Sequence, residues 1–301
     1  MTAVDVPSDA LLEEGYRRCA RITRQHGTTY YWGTLLLPPE RRRHVYAVYA
    51  LCRLADDIVD DPGATSAPQV ARTAERLREF ADTFRRVAEG APTDDPVIAA
   101  VGHSVRSCQI PSECFDRFFG AMAQDLTQTT YETWDDLLGY MDGSAAVIGE
   151  MMLPVLRPTS AAALAPAQSL GLAFQLTNFL RDIGEDLGRG RVYVPQEDLR
   201  RFGADPWART VTPEWRELMR FEIERNRELY RHADEGIALL PRASARCVGT
   251  ARTLYARILE RIEANDYDVF STRARVPTWR KAAVSTRVLV LGPTRPEAVT
   301  P

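Results

Sequence analysis

The chain is 301 residues long, 45% hydrophobic and 26% charged, with a formal net charge of −3. That length and apolar content can bury a large core, which excludes a disordered segment, a collagen and a disulfide-stapled miniprotein. The slightly acidic balance supplies no positive field for a phosphate backbone, which excludes nucleic acid as a partner.

The opening MTAVDVPSDALLEEG is acidic and has neither a basic leader nor an apolar h-region. No apolar run reaches the ~18 residues of a membrane span, so the expected location is the cytosol. Beyond residue 8, apolar residues recur at spacings of three and four with little strict alternation, which predicts an all-α fold. Turn-forming clusters at 37–39, 61–68, 90–96, 110–112, 157–166 and 202–213 are short enough to be interhelical loops. No composition shift divides the chain, so one helical domain is expected over 9–287, with 1–8 and 288–301 as flexible termini. The cysteines are scattered and never form a C-x-x-C pair, which predicts reduced thiols rather than a zinc knuckle. His26, His44, His103 and His232 lie apart along the chain and read as ordinary residues.

The segment HVYAVYALCRLADDIVDDPG, residues 44–63, reads as a helix stopped by Pro62-Gly63. Tyr49, Arg53, Asp56 and Asp60 follow at steps of four, three and four, so they share one face. A carboxylate pair one turn apart is most often a solvated face. Here it follows a nearly apolar helix and sits at a C-terminus, where the macrodipole prefers cations, and that misplacement points to bound metal. Residues 140–154, YMDGSAAVIGEMMLP, read as a helix lined with small residues. They serve either close helix packing or room for a long apolar chain.

A second polar face occurs in the helix expected over 167–195, where Gln175, Asn178, Asp182 and Asp186 are spaced three, four and four. Apolar residues cover the rest of its circumference, so the stripe must face something polar or cost about 1–3 kcal/mol per unsatisfied group. The economical arrangement sets the two acidic helices across a cavity, with hard divalent cations and a phosphorylated substrate between them. Arg53 and Arg181 sit beside the carboxylates, and Arg189 and Arg191 follow in a Gly-Arg-Gly-Arg turn, forks suited to phosphate oxygens. Lys281 is the only lysine, which disfavours imine chemistry.

DDIVD at 56–60, YMDGSAAVIGEMMLPV at 140–155 and LGLAFQLTNFLRDIGEDLGRGRVYVPQEDL at 170–199 resemble the three signature regions of the squalene and phytoene synthase family, with wording most similar to its bacterial phytoene synthases. The resemblance implies an isoprenoid-synthase-type helical bundle whose central cavity binds two prenyl diphosphates and Mg2+, with Mn2+ able to replace it. By motif match, Asp56, Asp60, Asp182 and Asp186 become the two aspartate pairs, with Asn178 in the metal shell. Arg53, Gln175 and Arg181 become diphosphate-shell residues, and Tyr49, Tyr140 and Tyr255 aromatic cavity residues. Arg191 and Tyr193 belong to the flap after the second motif. In HGTTYYWGTLLLP at 26–38, Thr29 and Tyr30 fit the family's N-terminal motif, whereas Thr28 stands where the family often has a basic residue.

The implied reaction is head-to-head condensation of two geranylgeranyl diphosphates to phytoene, without NADPH. A squalene-type reaction of two farnesyl diphosphates is the alternative within the family. From other classes, an all-α Mg-dependent nucleoside triphosphate pyrophosphohydrolase or a noncatalytic helical scaffold could use acidic helices. The resemblance further suggests peripheral membrane contact, because substrate and product are long hydrocarbons, and a downstream desaturase as a partner.

Overall fold

The computed structural model describes residues 8–60, 66–274 and 277–292. Its helices are α1 (Asp9–His26), α2 (Thr28–Thr34), α3 (Pro39–Val59), α4 (Ala67–Ala88), α5 (Pro96–Cys108), α6 (Ser112–Gln124), α7 (Trp134–Met141), α8 (Val147–Leu156), α9 (Leu164–Leu187), α10 (Gln196–Phe202), α11 (Pro213–Ile237), α12 (Arg242–Ala264) and α13 (Thr278–Leu291). The fold is all-α: among the described residues, an isolated parallel bridge between Thr130 and Val192 is the sole β feature.

The turn formers act where they fall. Pro39, Pro68, Pro96 and Pro213 occupy the first turns of α3, α4, α5 and α11, where a missing N–H costs nothing. Asp95 caps α5 by accepting from the Val97 and Ile98 N–H groups at 2.7 and 3.1 Å, and Thr212 caps α11 by accepting from Trp215 at 3.1 Å. Residues 61–65 of the expected break, and the termini 1–7 and 293–301, lie outside the described residues.

Three element boundaries differ from expectation. The first acidic helix starts at Pro39 and ends at Val59, so that Asp60 is its C-cap. The second ends at Leu187 rather than 195, because Gly190 adopts a φ of +73° and turns the chain away. The expected helix over 140–154 is two helices, α7 and α8, joined by a wide π turn at Asp142–Ala146. At the far end, residues 288–291 form the last turn of α13, where Val284 and Val288 pack on Leu254.

The small residues serve both expected uses. A Cβ on Gly149 would stand 2.1 Å from the Ala167 carbonyl oxygen and one on Gly171 2.2 Å from that of Ala145, so the α8 and α9 backbones touch. Ser144 and Ala145 line a cavity, as do Gly149 and Gly171.

That cavity separates two apolar clusters. One is built from α1, α3, α5, α6 and their neighbours, around Ala47, Leu51, Phe118 and Met151; the other from α9, α11 and α12, around Leu180, Ile223 and Ile258. The buried face of α9 is held on α11 by Thr177, whose Oγ1 accepts from the Tyr230 hydroxyl and the Asn226 amide, each at 2.8 Å. Nearby, Arg225 lies between the Trp134 and Phe221 rings and donates to Glu222 at 2.9 Å and Asp198 at 2.7 Å. Burial pushes the Glu222 carboxyl up to about 8 against the pull of Arg225. His44 and His103, remote in sequence, meet between α3 and α5 at 6.2 Å between ring centroids, and both contact the Tyr16 hydroxyl. All five cysteines are free thiols.

Gly149→Ala is expected to cost about 1–3 kcal/mol, because its methyl group meets backbone that cannot yield. Gly120→Ala, with open space at its Cβ, should be neutral or stabilising by up to about 1 kcal/mol; urea midpoints at constant slope measure both. Glu222 binds its proton more tightly folded than unfolded. Its contribution to stability is therefore complete below the ordinary value of 4.5 and is lost as pH rises through about 8. In Glu222→Gln this component of the pH dependence of the urea midpoint should disappear.

Candidate active site

The cavity has a volume of about 1080 Å³, and every residue singled out in the signature regions faces it. Tyr49, Arg53, Asp56 and Asp60 approach it from α3, and Gln175, Asn178, Arg181, Asp182 and Asp186 from α9. Thr29 and Tyr30 come from α2, Tyr140 from α7 and Tyr255 from α12. Arg191 and Tyr193 follow the Gly190 turn, in a strip pinned by hydrogen bonds from Val192 N–H to Thr129 O at 2.8 Å and from Gln196 N–H to Tyr131 O at 2.9 Å.

Both acidic pairs lie at helix C-termini, so the negative ends of two macrodipoles add to the carboxylate charge at the cavity mouth. Arginines answer part of it. Arg189 and Arg191 donate to Asp60 at 3.3 and 3.1 Å. Asp182 is held by Arg181, at 2.7 and 2.5 Å, and by Arg273, at 2.7 and 2.8 Å. Burial works to raise the Asp182 carboxyl, but these two guanidinium groups outweigh it and hold it below the usual range. Arg53 pairs outward with Asp57, and its Nε is buried with no partner.

Asp56 and Asp186 make no ion pair within hydrogen-bonding reach among the described residues. Burial and the neighbouring Asp60 push Asp56 up to about 7; burial and Asp182 push Asp186 up to about 7 as well. The Oδ1 of Asn178 is buried and unpartnered. Uncompensated carboxylates and an orphaned amide oxygen are hard donors, and they fit a divalent cation that shares its shell with diphosphate oxygens. Among the described residues no three His, Cys, Asp or Glu side chains converge to enclose an ion by themselves.

Below the mouth the walls become aromatic and then aliphatic. Phe179 and Tyr193 stack at 3.8 Å between centroids, with Tyr140 6.1 Å from Tyr193. On the other side Phe174 lies 4.3 Å from Tyr255 and Tyr30 5.1 Å from Tyr255. Deeper still, Val45, Leu153, Leu156, Leu240 and Val248 close the space.

Sequence reasoning missed two site residues. Arg273 arrives on the loop after α12 and reaches Asp182 across 91 positions of sequence, which no local spacing records. It is one of several arginines at the mouth, where Thr28 stands in place of a basic residue. Asp125, the C-cap of α6, lines the cavity and accepts the Tyr140 hydroxyl at 2.9 Å. It belongs to no periodic stripe.

The chain is 38% identical over 280 residues to a chloroplastic phytoene synthase of Daucus carota, covering 90% of this chain and 69% of that protein. It is 38% identical over 288 residues to a phytoene synthase of Arthrospira platensis, covering 90% and 91%. A crystal structure of a dehydrosqualene synthase in complex with ligand superposes with a TM-score of 0.84 at 27% identity, covering 93% of this chain and 97% of that one. Residues 23–280 match squalene/phytoene synthase, and the chain belongs to that family.

Proposed function

We propose that this chain is a 15-cis-phytoene synthase. It joins two geranylgeranyl diphosphates head to head (1′–1) through a cyclopropylcarbinyl (prephytoene) diphosphate and releases diphosphate, in carotenoid biosynthesis. The observation that carries the reading is an acidic, arginine-rimmed mouth above a deep apolar cavity. Relatives at 37–38% identity over 90–91% of the chain, all phytoene synthases, support it.

The wall is long enough for the longer substrate. From Asp182 to Pro166, both in the cavity wall, α9 rises about 24 Å at 1.5 Å per residue. An extended 20-carbon prenyl tail of C–C bonds near 1.5 Å is about 20 Å long. The squalene-type reaction of farnesyl diphosphate draws on the likeness to dehydrosqualene synthase. A nucleotide pyrophosphohydrolase would need a base-recognition pocket, which the aliphatic lower wall does not provide.

In the proposed reaction Arg53, Arg181, Arg189 and Arg191 grip diphosphate oxygens through charge-assisted hydrogen bonds. Asp56, Asp60, Asn178, Asp182 and Asp186 would hold Mg2+, or Mn2+ in its place, which supplies positive charge to the departing diphosphate. The apolar walls keep water from the resulting allylic cation, while the ring faces of Tyr140, Phe179 and Tyr193 offer it π density. The double bond of the second molecule attacks, loss of a first proton closes the cyclopropane ring of prephytoene diphosphate, and a second ionisation, rearrangement and a second proton loss complete the sequence. An ending by proton loss needs no NADPH. No helix among the described residues is long and apolar enough to cross a membrane. The long hydrocarbon character of substrate and product calls for peripheral membrane contact, with a desaturase as the partner that takes the product.

Purified protein incubated with Mg2+ and geranylgeranyl diphosphate should yield a 40-carbon hydrocarbon in hexane extracts, identified by mass spectrometry. A 30-carbon product from farnesyl diphosphate alone would transfer the reading to the squalene type. Asp56→Asn and Asp186→Asn should each lower turnover about 100-fold or more. By removing uncompensated charge they should also stabilise the metal-free protein by about 0.5–2 kcal/mol, a pairing that calorimetry and rate measurement together check.

A further inference from the structure

Asp125 is a buried carboxylate to which the reaction above gives no task. It is 8% exposed, ends α6 and lines the cavity beneath the arginine-rimmed mouth. Its Oδ2 accepts the Tyr140 hydroxyl at 2.9 Å, while its Oδ1 is buried without a hydrogen-bond partner. Arg191, the nearest guanidinium, donates instead to the Asp125 backbone oxygen and to Asp60, each at 3.1 Å. The carboxylate is therefore left with a phenol as its single hydrogen-bonding side chain. A half-satisfied carboxylate in such a wall costs stability, and acceptance of a proton relieves that cost.

Tyr140 connects this carboxylate to the reacting space. Its ring lies nearly parallel to Phe179 and Tyr193, at 6.3 and 6.1 Å between centroids and interplanar angles of 28° and 26°, and these three rings form one aromatic side of the wall. Tyr140 and Asp125 both line the cavity, and their hydrogen bond links the carboxylate to this aromatic side.

Resting on the reading of the chain as a phytoene synthase, we propose that Tyr140 and Asp125 form the proton-accepting pair of the final step. The C–H bond beside the last allylic cation breaks, and its electron pair becomes the new double bond. The proton passes to the Tyr140 oxygen as the phenolic proton moves to Asp125 Oδ2, leaving a neutral carboxylic acid. No oxidant or reductant is consumed. Tyr140 is the catalytic residue, and Asp125 acts through it.

The test follows prephytoene diphosphate, phytoene and 40-carbon alcohols by mass spectrometry in the wild type, Asp125→Asn, Asp125→Glu and Tyr140→Phe, each confirmed folded by circular dichroism. Asparagine keeps the size and an acceptor for Tyr140 but cannot take up the proton. Asp125→Asn and Tyr140→Phe should lose phytoene about 10-fold or more beyond any loss of prephytoene diphosphate formation, with water-quenched alcohols rising in its place. Asp125→Glu should recover part of the phytoene. A wild-type ratio of phytoene to alcohols in Asp125→Asn would overturn the pair and assign the proton to released diphosphate. Equal loss of both steps would reduce Asp125 to a structural residue. A wild type that forms no hydrocarbon would sink the functional reading, and the pair with it.

Discussion

Two helices, α3 and α9, end with their carboxylates directed into the same cavity, where the helix dipoles already place negative charge. Nothing in packing rewards that arrangement, and the rest of the site is organised around tolerating it. The counter-charges come from separate stretches of chain: Arg181 within α9, Arg189 and Arg191 just after it, and Arg273 beyond α12. The Gly190 turn and the loop carrying Arg273 are thus electrostatic elements as much as connections. Compensation is partial, since Asp56 and Asp186 are not reached, and this partial compensation leaves the mouth receptive to cations.

The cavity lies between two separately packed clusters. The α1–α3–α5–α6 cluster and the α9–α11–α12 cluster each bury their own apolar core. Where α8 and α9 touch, glycines bring the backbones together, and the same Gly149 and Gly171 border the cavity. Thr177 fixes the rotation of α9 on α11, which keeps Asn178, Asp182 and Asp186 turned toward the cavity. A helix with one polar stripe needs such a lock, because rotation by one residue would move every donor at once.

Much of this was legible in the sequence for a simple reason: a polar stripe on an otherwise apolar helix is periodic, and periodicity is local. Tyr49, Arg53, Asp56 and Asp60, like Gln175, Asn178, Asp182 and Asp186, reveal their shared faces by spacing alone. The longer signature segments then supplied the family, and with it the tyrosines and the flap, which spacing does not connect. Contacts made across the chain left no such trace. Arg273 on Asp182, Asp125 on Tyr140 and His44 beside His103 are meetings of remote residues. The wide turn between α7 and α8 was also invisible, because glycine, serine and alanine are compatible with several windings.

That wide turn sets the phase of one entire wall. Tyr140, Ser144, Ile148 and Met152 all line the cavity at steps of four residues. A straight α-helix advances 100° per residue, so each such step overshoots a full revolution by about 40°, and three of them would carry the file about 120° around the axis. The looser winding over Asp142–Ala146 absorbs part of that drift, since a π turn takes in more residues per revolution. The aromatic ring near the mouth and the aliphatic side chains near the floor therefore stay in register through one local irregularity. Shortening that irregularity by a single residue would detune chemistry from capacity, without touching a residue that performs either.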